Sequence, residues 1–350
     1  MRTVHVLGGS LKLLAIPLFM LPLTAGADTV RILQSNAAGD RQHIIDPATD
    51  KIVGEIVGTE ASHGISASPD GSKMYVSNEA DNTLDVYDGK TLKMTKKIPL
   101  SGRPNNIAIG RDGRRVYVGI REPVGENPGV VDVIDTTSLT KVKSLRTEGP
   151  VHNVYVTPDG KFAYAGSPNG TVSVLDIQTD KPAWSIQLTH IRPMAADTYP
   201  DGSTRNLYIQ DSDHNGFLVV DFKTRKQIHK ITLPKLEAGR TPIALGSGES
   251  HGIAVTPDQK TVVVCSRLNN ALYSYSIPDM KLLGTAHLSG RGAAWVTVTP
   301  DGKKAYVADP AGNNTLVVDI PTMKEVARIK VGQVPKRNHT MVVRDQKTTQ

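Results

Sequence analysis

The 350-residue sequence predicts an all-β fold in which seven four-stranded antiparallel sheets stand as blades around a closed ring, a seven-bladed β-propeller. Three observations carry this expectation. A phrase ending in Thr/Ser-Pro-Asp-Gly recurs along the chain, each copy is followed by further strand-like segments, and the two ends hold complementary parts of one repeat.

The phrase occurs as H-G-I-S-A-S-P-D-G at 63–71, N-N-I-A-I-G-R-D-G at 105–113, H-N-V-Y-V-T-P-D-G at 152–160 and M-A-A-D-T-Y-P-D-G at 194–202. Two more copies stand at 251–259 and 294–302, and a degraded seventh, H-T-M-V-V-R-D-Q, at 339–346. Apolar alternation running into a proline with fixed φ and an Asp-Gly pair that tolerates a tight reversal describes a strand ending in a hairpin turn. A second strand follows, such as K-M-Y-V-S-N at 73–78 or K-A-Y-V-A-D at 304–309. A third ends in Asp, as in L-D-V-Y-D at 84–88 and V-D-V-I-D at 131–135. A fourth, more charged and edge-like, closes the unit, for example 327–331. Four short strands every ~40–45 residues is the period of a propeller blade. No segment beyond the N-terminal apolar run carries a 3.6-residue apolar period.

The ends account for the seventh blade. Second, third and fourth strands are expected at 30–36, 42–46 and 54–58, and a lone first strand at 339–345. Pairing of the two ends closes the ring and leaves no free sheet edge, whereas an open solenoid needs capping repeats.

The V-T-P-D-G turns and the Y-V-S-N and Y-V-A-D second strands resemble the YVTN-family propeller repeat over nearly the whole chain after the leader. That resemblance implies kinship with the haem-d1 domain of cytochrome nitrite reductases and with propeller lactonases. It speaks for fold and is nearly silent on activity, because function in such folds sits in loops and at the channel mouth.

Residues 1–27 begin with a positive, polar stretch containing Arg2 and Lys12, continue as the apolar run 13–23 and end on Ala25-Gly26-Ala27. This is the pattern of a secretory signal peptide cleaved after Ala27, leaving residues 28–350 as the propeller and no stable membrane span. The apolar run is short for a bilayer and carries two prolines. The expected location is periplasmic or secreted. Loss of Arg2 and Lys12 lowers the formal net charge from +7 to +5. The basic residues are scattered and aromatics are few, which argues against nucleic acid and for a small anionic ligand or an envelope protein as partner. Cys265 is the only cysteine, so no internal disulfide forms; its place in an apolar run reads as a buried thiol.

With the phrases in register, the residue seven before the turn Asp falls at one place in each blade: His63, Asn105, His152, Met194, His251, Ala294 and, allowing one deletion, His339. The first strand of a blade is its innermost, so these positions are expected at the mouth of the central channel. His63, His152, His251 and His339 are therefore the candidate ligands for a divalent metal or a tetrapyrrole, or acid–base groups. The alternative is that each imidazole bonds the backbone of a neighbouring blade. Asn105, Met194, Trp295 and Glu249 complete the expected mouth. Arg103, Arg192 and Arg291 precede first strands by a few residues and are candidate anion-binding groups, unless they pair with Glu60, Glu148 or Glu249.

The D-S-D-H-N run at 211–215 has alternating oxygen ligands but lacks the rest of a calcium loop, and a hairpin turn is its simpler reading. The irregular stretch 235–250 is expected to cover the mouth. No Walker-type loop, H-E-x-x-H or C-x-x-C-H motif is present. Three functions stay open: a binding or scaffold propeller, a lactonase- or lyase-type propeller enzyme using the histidines, and a surface-layer or adhesion module.

Overall fold

The computed structural model describes residues 28–125, 128–243 and 248–343, and the expected signal peptide lies outside them. The described residues form seven four-stranded antiparallel sheets and no helix. Blade one runs through Ser62–Ala67, Lys73–Asn78, Thr83–Asp88 and Met94–Pro99. Blades two to six repeat this order, their first strands being Gly102–Ile109, Asn153–Val156, Ile191–Thr198, Ser250–Val255 and Trp295–Val298. Blade seven is spliced from the two ends. Gln333–Val343 is its first strand and pairs antiparallel with Thr29–Ala38, which Arg41–Asp46 and Lys51–Val57 follow. First strand packs on first strand around the ring, blade seven touching both blade six and blade one.

The recurring turn has a local cause. Thr157, Thr256 and Thr299 each donate from the hydroxyl to the Asp two residues on at 2.6 Å, and that Asp accepts the backbone N–H two residues further still. Gly160 and Gly302 then take φ of +69° and +71°, and in blade five Gln259 takes +61° where the other turns have glycine.

The core lies between blades. One apolar cluster joins Tyr75, Leu84, Val86 and Ile98 of blade one to Ile107, Val116, Val118 and Ile134 of blade two. Another joins Tyr306, Val317 and Ile329 of blade six to Ile32 and Ile45 of blade seven. Second and third strands are buried on both faces, which is why Lys73–Asn78 lacks a polar face beyond its first residue. Fourth strands such as Thr140–Arg146 are mostly exposed, as their charge predicts.

Candidate functional site

Strand pairing defines which residues share a level around the channel. In blade one Ser62 faces Asn78 and Ile65 faces Val76, with His63 at the inner edge between them. Equivalent pairings place Asn105, His152, His251 and Ala294 at the His63 level, as expected.

Two positions differ from the expectation. In blade four Ile191 faces Asp211 and Met194 faces Ile209, so Arg192 takes the His63 level and Met194 the Ile65 level. This hairpin is longer on both strands, with bulged Asp197 and the pair Thr198–Thr204, so counting back from its turn Asp lands two residues too deep. In blade seven the strand starts at Gln333, earlier than expected, and Ser35 gives the register. Its hydroxyl bonds the carbonyls of Arg337 and His63, as Ser77 bonds those of Gly64 and Asn105. The equivalent of His63 is therefore Lys336, and His339 lies three residues further along the strand, away from the other histidines.

Three histidines do converge. The ring centroids of His63 and His152 are 6.1 Å apart and those of His152 and His251 6.2 Å. Trp295 of blade six reaches all three, with centroids 6.2, 6.4 and 4.7 Å from His63, His152 and His251, and stacks on His152 at 4°. An indole touching blades one, three and five from blade six crosses the channel and plugs it. Trp295 stands one residue after the His63 level, where blades one and five have Gly64 and Gly252.

Each imidazole is oriented through Nδ1. His63 bonds Glu79 Oε1 at 2.6 Å, His251 bonds the Ala294 carbonyl at 2.8 Å, and His152 bonds Asn153 Oδ1. Carbonyl and carboxylate oxygens accept, so Nδ1 carries the proton and Nε2 keeps its lone pair. Burial lowers the pKa of all three. For His63 the Glu79 carboxylate offsets part of that, whereas Arg192 lowers His152 further and Arg267 lowers His251 further.

A cluster of cations faces this layer. Burial lowers the pKa of Lys336, Glu79 partly offsets it, and Arg267, Arg121 and Arg192 lower it further. Arg192 is lowered by burial and by Arg121 with Asp213 offsetting part of it, and Arg267 by burial and by Arg192. Glu79 is the carboxylate beside Lys336. Burial pushes its pKa up, but hydrogen bonds from His63 and Arg103 outweigh burial and hold it below the usual carboxylate range. Arg103 grips Glu79 Oε2 at 2.6 and 3.0 Å and Glu122 at 3.2 Å, so its charge is spent on acids of the protein. Arg291 is exposed and only its backbone N–H holds Asp309, so it does not join the cluster. Glu249 is half-buried at the entry to blade five, its carbonyl accepting from Leu268. Asn105 is fully buried, and its Nδ2 finds no acceptor among the described residues.

Of the three expected arginines only Arg192 reaches the cluster; the loops holding Arg121 and Arg267 were expected to open on the mouth, but neither residue nor Lys336 was among the anion-binding candidates. A signal for two of them exists in the sequence. Arg267 follows its second strand directly and Arg121 lies within a longer one, yet both stand six residues after the residue that opens the second strand, as Glu79 does in blade one, so aligning second-strand starts brings the three into register.

Cys265 is buried as expected, and burial raises its thiol pKa far above the ordinary value. In the 211–215 run Asp211 bonds His214 and Asp213 bonds His190, an arrangement of paired side chains. Among the described residues no three His, Cys, Asp or Glu gather at metal-binding distances. Of the 235–250 stretch, Ile243 bonds Leu268 and Gly248 packs on Ser212, whose hydroxyl accepts from Arg192; residues 244–247 lie outside the described residues.

No family model matches the chain. A 52-residue stretch is 42% identical to antigen Lp49 of Leptospira interrogans, spanning 15% of this chain and only 11% of that protein. Hydrazine synthase of Kuenenia stuttgartiensis superposes with a TM-score of 0.69 at 21% identity, over 87% of this chain and 99% of the matched chain. The dihydro-heme d1 dehydrogenase NirN, solved in complex with DHE, superposes with a TM-score of 0.65 at 17% identity, over 92% of this chain and 78% of its own. At these identities the likeness is one of fold.

Proposed function

We propose that the protein is an exported, YVTN-type propeller that binds an anionic ligand at the channel mouth, above the Trp295 plug. One observation carries the reading. Lys336 lies within electrostatic reach of Arg121, Arg192 and Arg267, and Arg192 of Arg121 and Arg267, over three uncharged imidazoles; the carboxylates beside them are Glu79, itself held by Arg103, and Asp213 beside Arg192. Like charges brought together around the half-buried Arg192, Arg267 and Lys336 raise one another's energy. A bound carboxylate or phosphate relieves this, and arginine offers it a planar fork.

NirN binds DHE, which makes a tetrapyrrole one version of the ligand. The donor set fits such a group: the cations would take its carboxylates, and with each Nδ1 engaged, an imidazole Nε2 would remain for the tetrapyrrole centre. A resident metal held by the histidines alone draws no support from the geometry, because centroids 6.1 and 6.2 Å apart around an indole do not make the cage that ~2.0–2.1 Å metal–nitrogen bonds need.

Titration calorimetry with citrate, inorganic phosphate and haem, at two ionic strengths, tests the proposal. Saturable binding of at least one probe is expected, weaker at high salt and about tenfold weaker in Arg192→Gln and in Lys336→Gln, or ~1.4 kcal/mol each. No binding of any probe, or binding indifferent to both substitutions, overturns it.

A further inference from the structure

We infer that the turn-side half of the channel is a second binding site, separated from the mouth by Trp295, and that it takes a small planar carboxylate of the aromatic-acid type. A cavity of about 280 Å³ lies there, at the small end of ligand pockets, and Tyr155, Tyr164, Met194, Trp295, Arg337 and His339 are among its walls. Met194 and His339 thus belong to this site and not to the mouth.

The walls specify the ligand. Tyr155 and Tyr164 stack with centroids 5.3 Å apart, and with the Trp295 indole they offer flat apolar surface. The Arg337 guanidinium lies 4.7 Å from the Tyr155 centroid, so one face is taken by the ring. Its Nη1 is buried and meets no hydrogen-bond acceptor, and neither does Asn338 Oδ1 meet a donor. A buried guanidinium N–H without an acceptor is an invitation to an anion, and its fork matches a carboxylate. The described residues lining the cavity include Arg111 as a further cation and no Asp or Glu. The Tyr155 hydroxyl accepts from Met194 N at 3.3 Å and from Asn153 Nδ2 at 3.5 Å, which leaves its own proton to donate. An anionic head on Arg337 and Tyr155, with a ring against Trp295 and Tyr164, satisfies the guanidinium and the phenol together, while Asn338 Oδ1, an acceptor, takes nothing from a carboxylate. Acetate lacks the plane, and benzyl alcohol lacks the charge.

The chain has two tryptophans, and Trp184 sits on an outer strand against Phe222, so a Trp184→Phe protein reports Trp295 alone. Titrating it with benzoate is expected to give a saturable change in emission. Acetate and benzyl alcohol are expected to bind at least tenfold more weakly. Arg337→Gln is expected to weaken benzoate at least tenfold, and Arg192→Gln, on the far side of the plug, to leave it unchanged. Should Arg337→Gln fail to fold by circular dichroism, Arg337→Lys serves, keeping charge but losing the fork, with the same direction of effect. Absence of a saturable change, benzoate affinity equal in the folded Arg337 variant, or acetate matching benzoate overturns the site. A loss in Arg192→Gln alone places the benzoate at the mouth and overturns it equally. The mouth proposal rests on Arg192 and Lys336 and stands or falls separately.

Discussion

A histidine at the channel axis gives up the water that would solvate its charged form, and this sets its behaviour with pH. His63, His152 and His251 are lowered by burial, and His339 falls to about 4 from 6.5 for the same reason, with Arg337 adding to it. The unfolded chain protonates these groups near 6.5 and the folded protein only lower, so the unfolded state binds more protons in between. Stability is therefore fully retained above about 6.5 and lost as pH falls toward 4. Melting temperature measured across this range should fall, with a shallower acid limb in His152→Gln. A flat profile in the parent protein is incompatible with neutral buried imidazoles. Glycine matters at the same level for a different reason. A Cβ on Gly252 would stand 2.7 Å from the Ala294 carbonyl and 3.0 Å from the Trp295 backbone of the next blade. Backbone does not yield as a side chain does, so Gly252→Ala should cost ~1–3 kcal/mol in urea unfolding. The histidine positions could be read from the sequence in blades one, three and five because there the channel position stands the same distance before the turn Asp. Trp295 as a plug could not, since only the closed ring brings one indole to three other blades.

At the scale of the strand, blade four shows why register is harder to read than strand identity. The phrase M-A-A-D-T-Y-P-D-G predicts a strand and a turn, and both are present. Asp197 bulges from it, fully buried, and holds Arg205, the Asn206 N–H at 2.9 Å and the Tyr208 hydroxyl at 3.0 Å. That network extends the hairpin on both sides and moves Arg192 to the channel. Asp197→Ala strips an acceptor from buried donors and should destabilise by ~1–3 kcal/mol in denaturant titration. It should also weaken anion binding at the mouth, because the lengthened hairpin carries Arg192. An Asp197→Ala protein with unaltered stability would show that the bulge holds its shape without the carboxylate. Blade seven poses the same difficulty, since its degraded phrase offers no intact turn from which to count back to Lys336.

For the molecule as a whole, the two ends act as one blade. Residues from Thr29 to Ala38 pair with Gln333 to Val343 over the length of both strands, with one bulge. Ending the chain after Gly332 should abolish cooperative unfolding, because Ile32 and Leu33 lose a partner strand and Met341 and Val343 leave the apolar cluster shared with blade one. Adding a synthetic 333–343 peptide should restore part of it, as followed by circular dichroism; a cooperative transition without any first strand would show that closure contributes little. Ring closure also brings Trp295 of blade six against the histidines of blades one, three and five.

Strand type, turn chemistry, blade number and the splice of the two ends are local or periodic properties, so they were readable directly from residues such as Thr157-Pro158-Asp159-Gly160. The gathering of Arg121, Arg192, Arg267 and Lys336, and the division of Met194 and His339 from the other candidates, were decided by tertiary structure. Those outcomes depend on bulges and strand starts that shift a side chain from one level of the channel to another, and they are fixed only when each blade is paired and packed against the next.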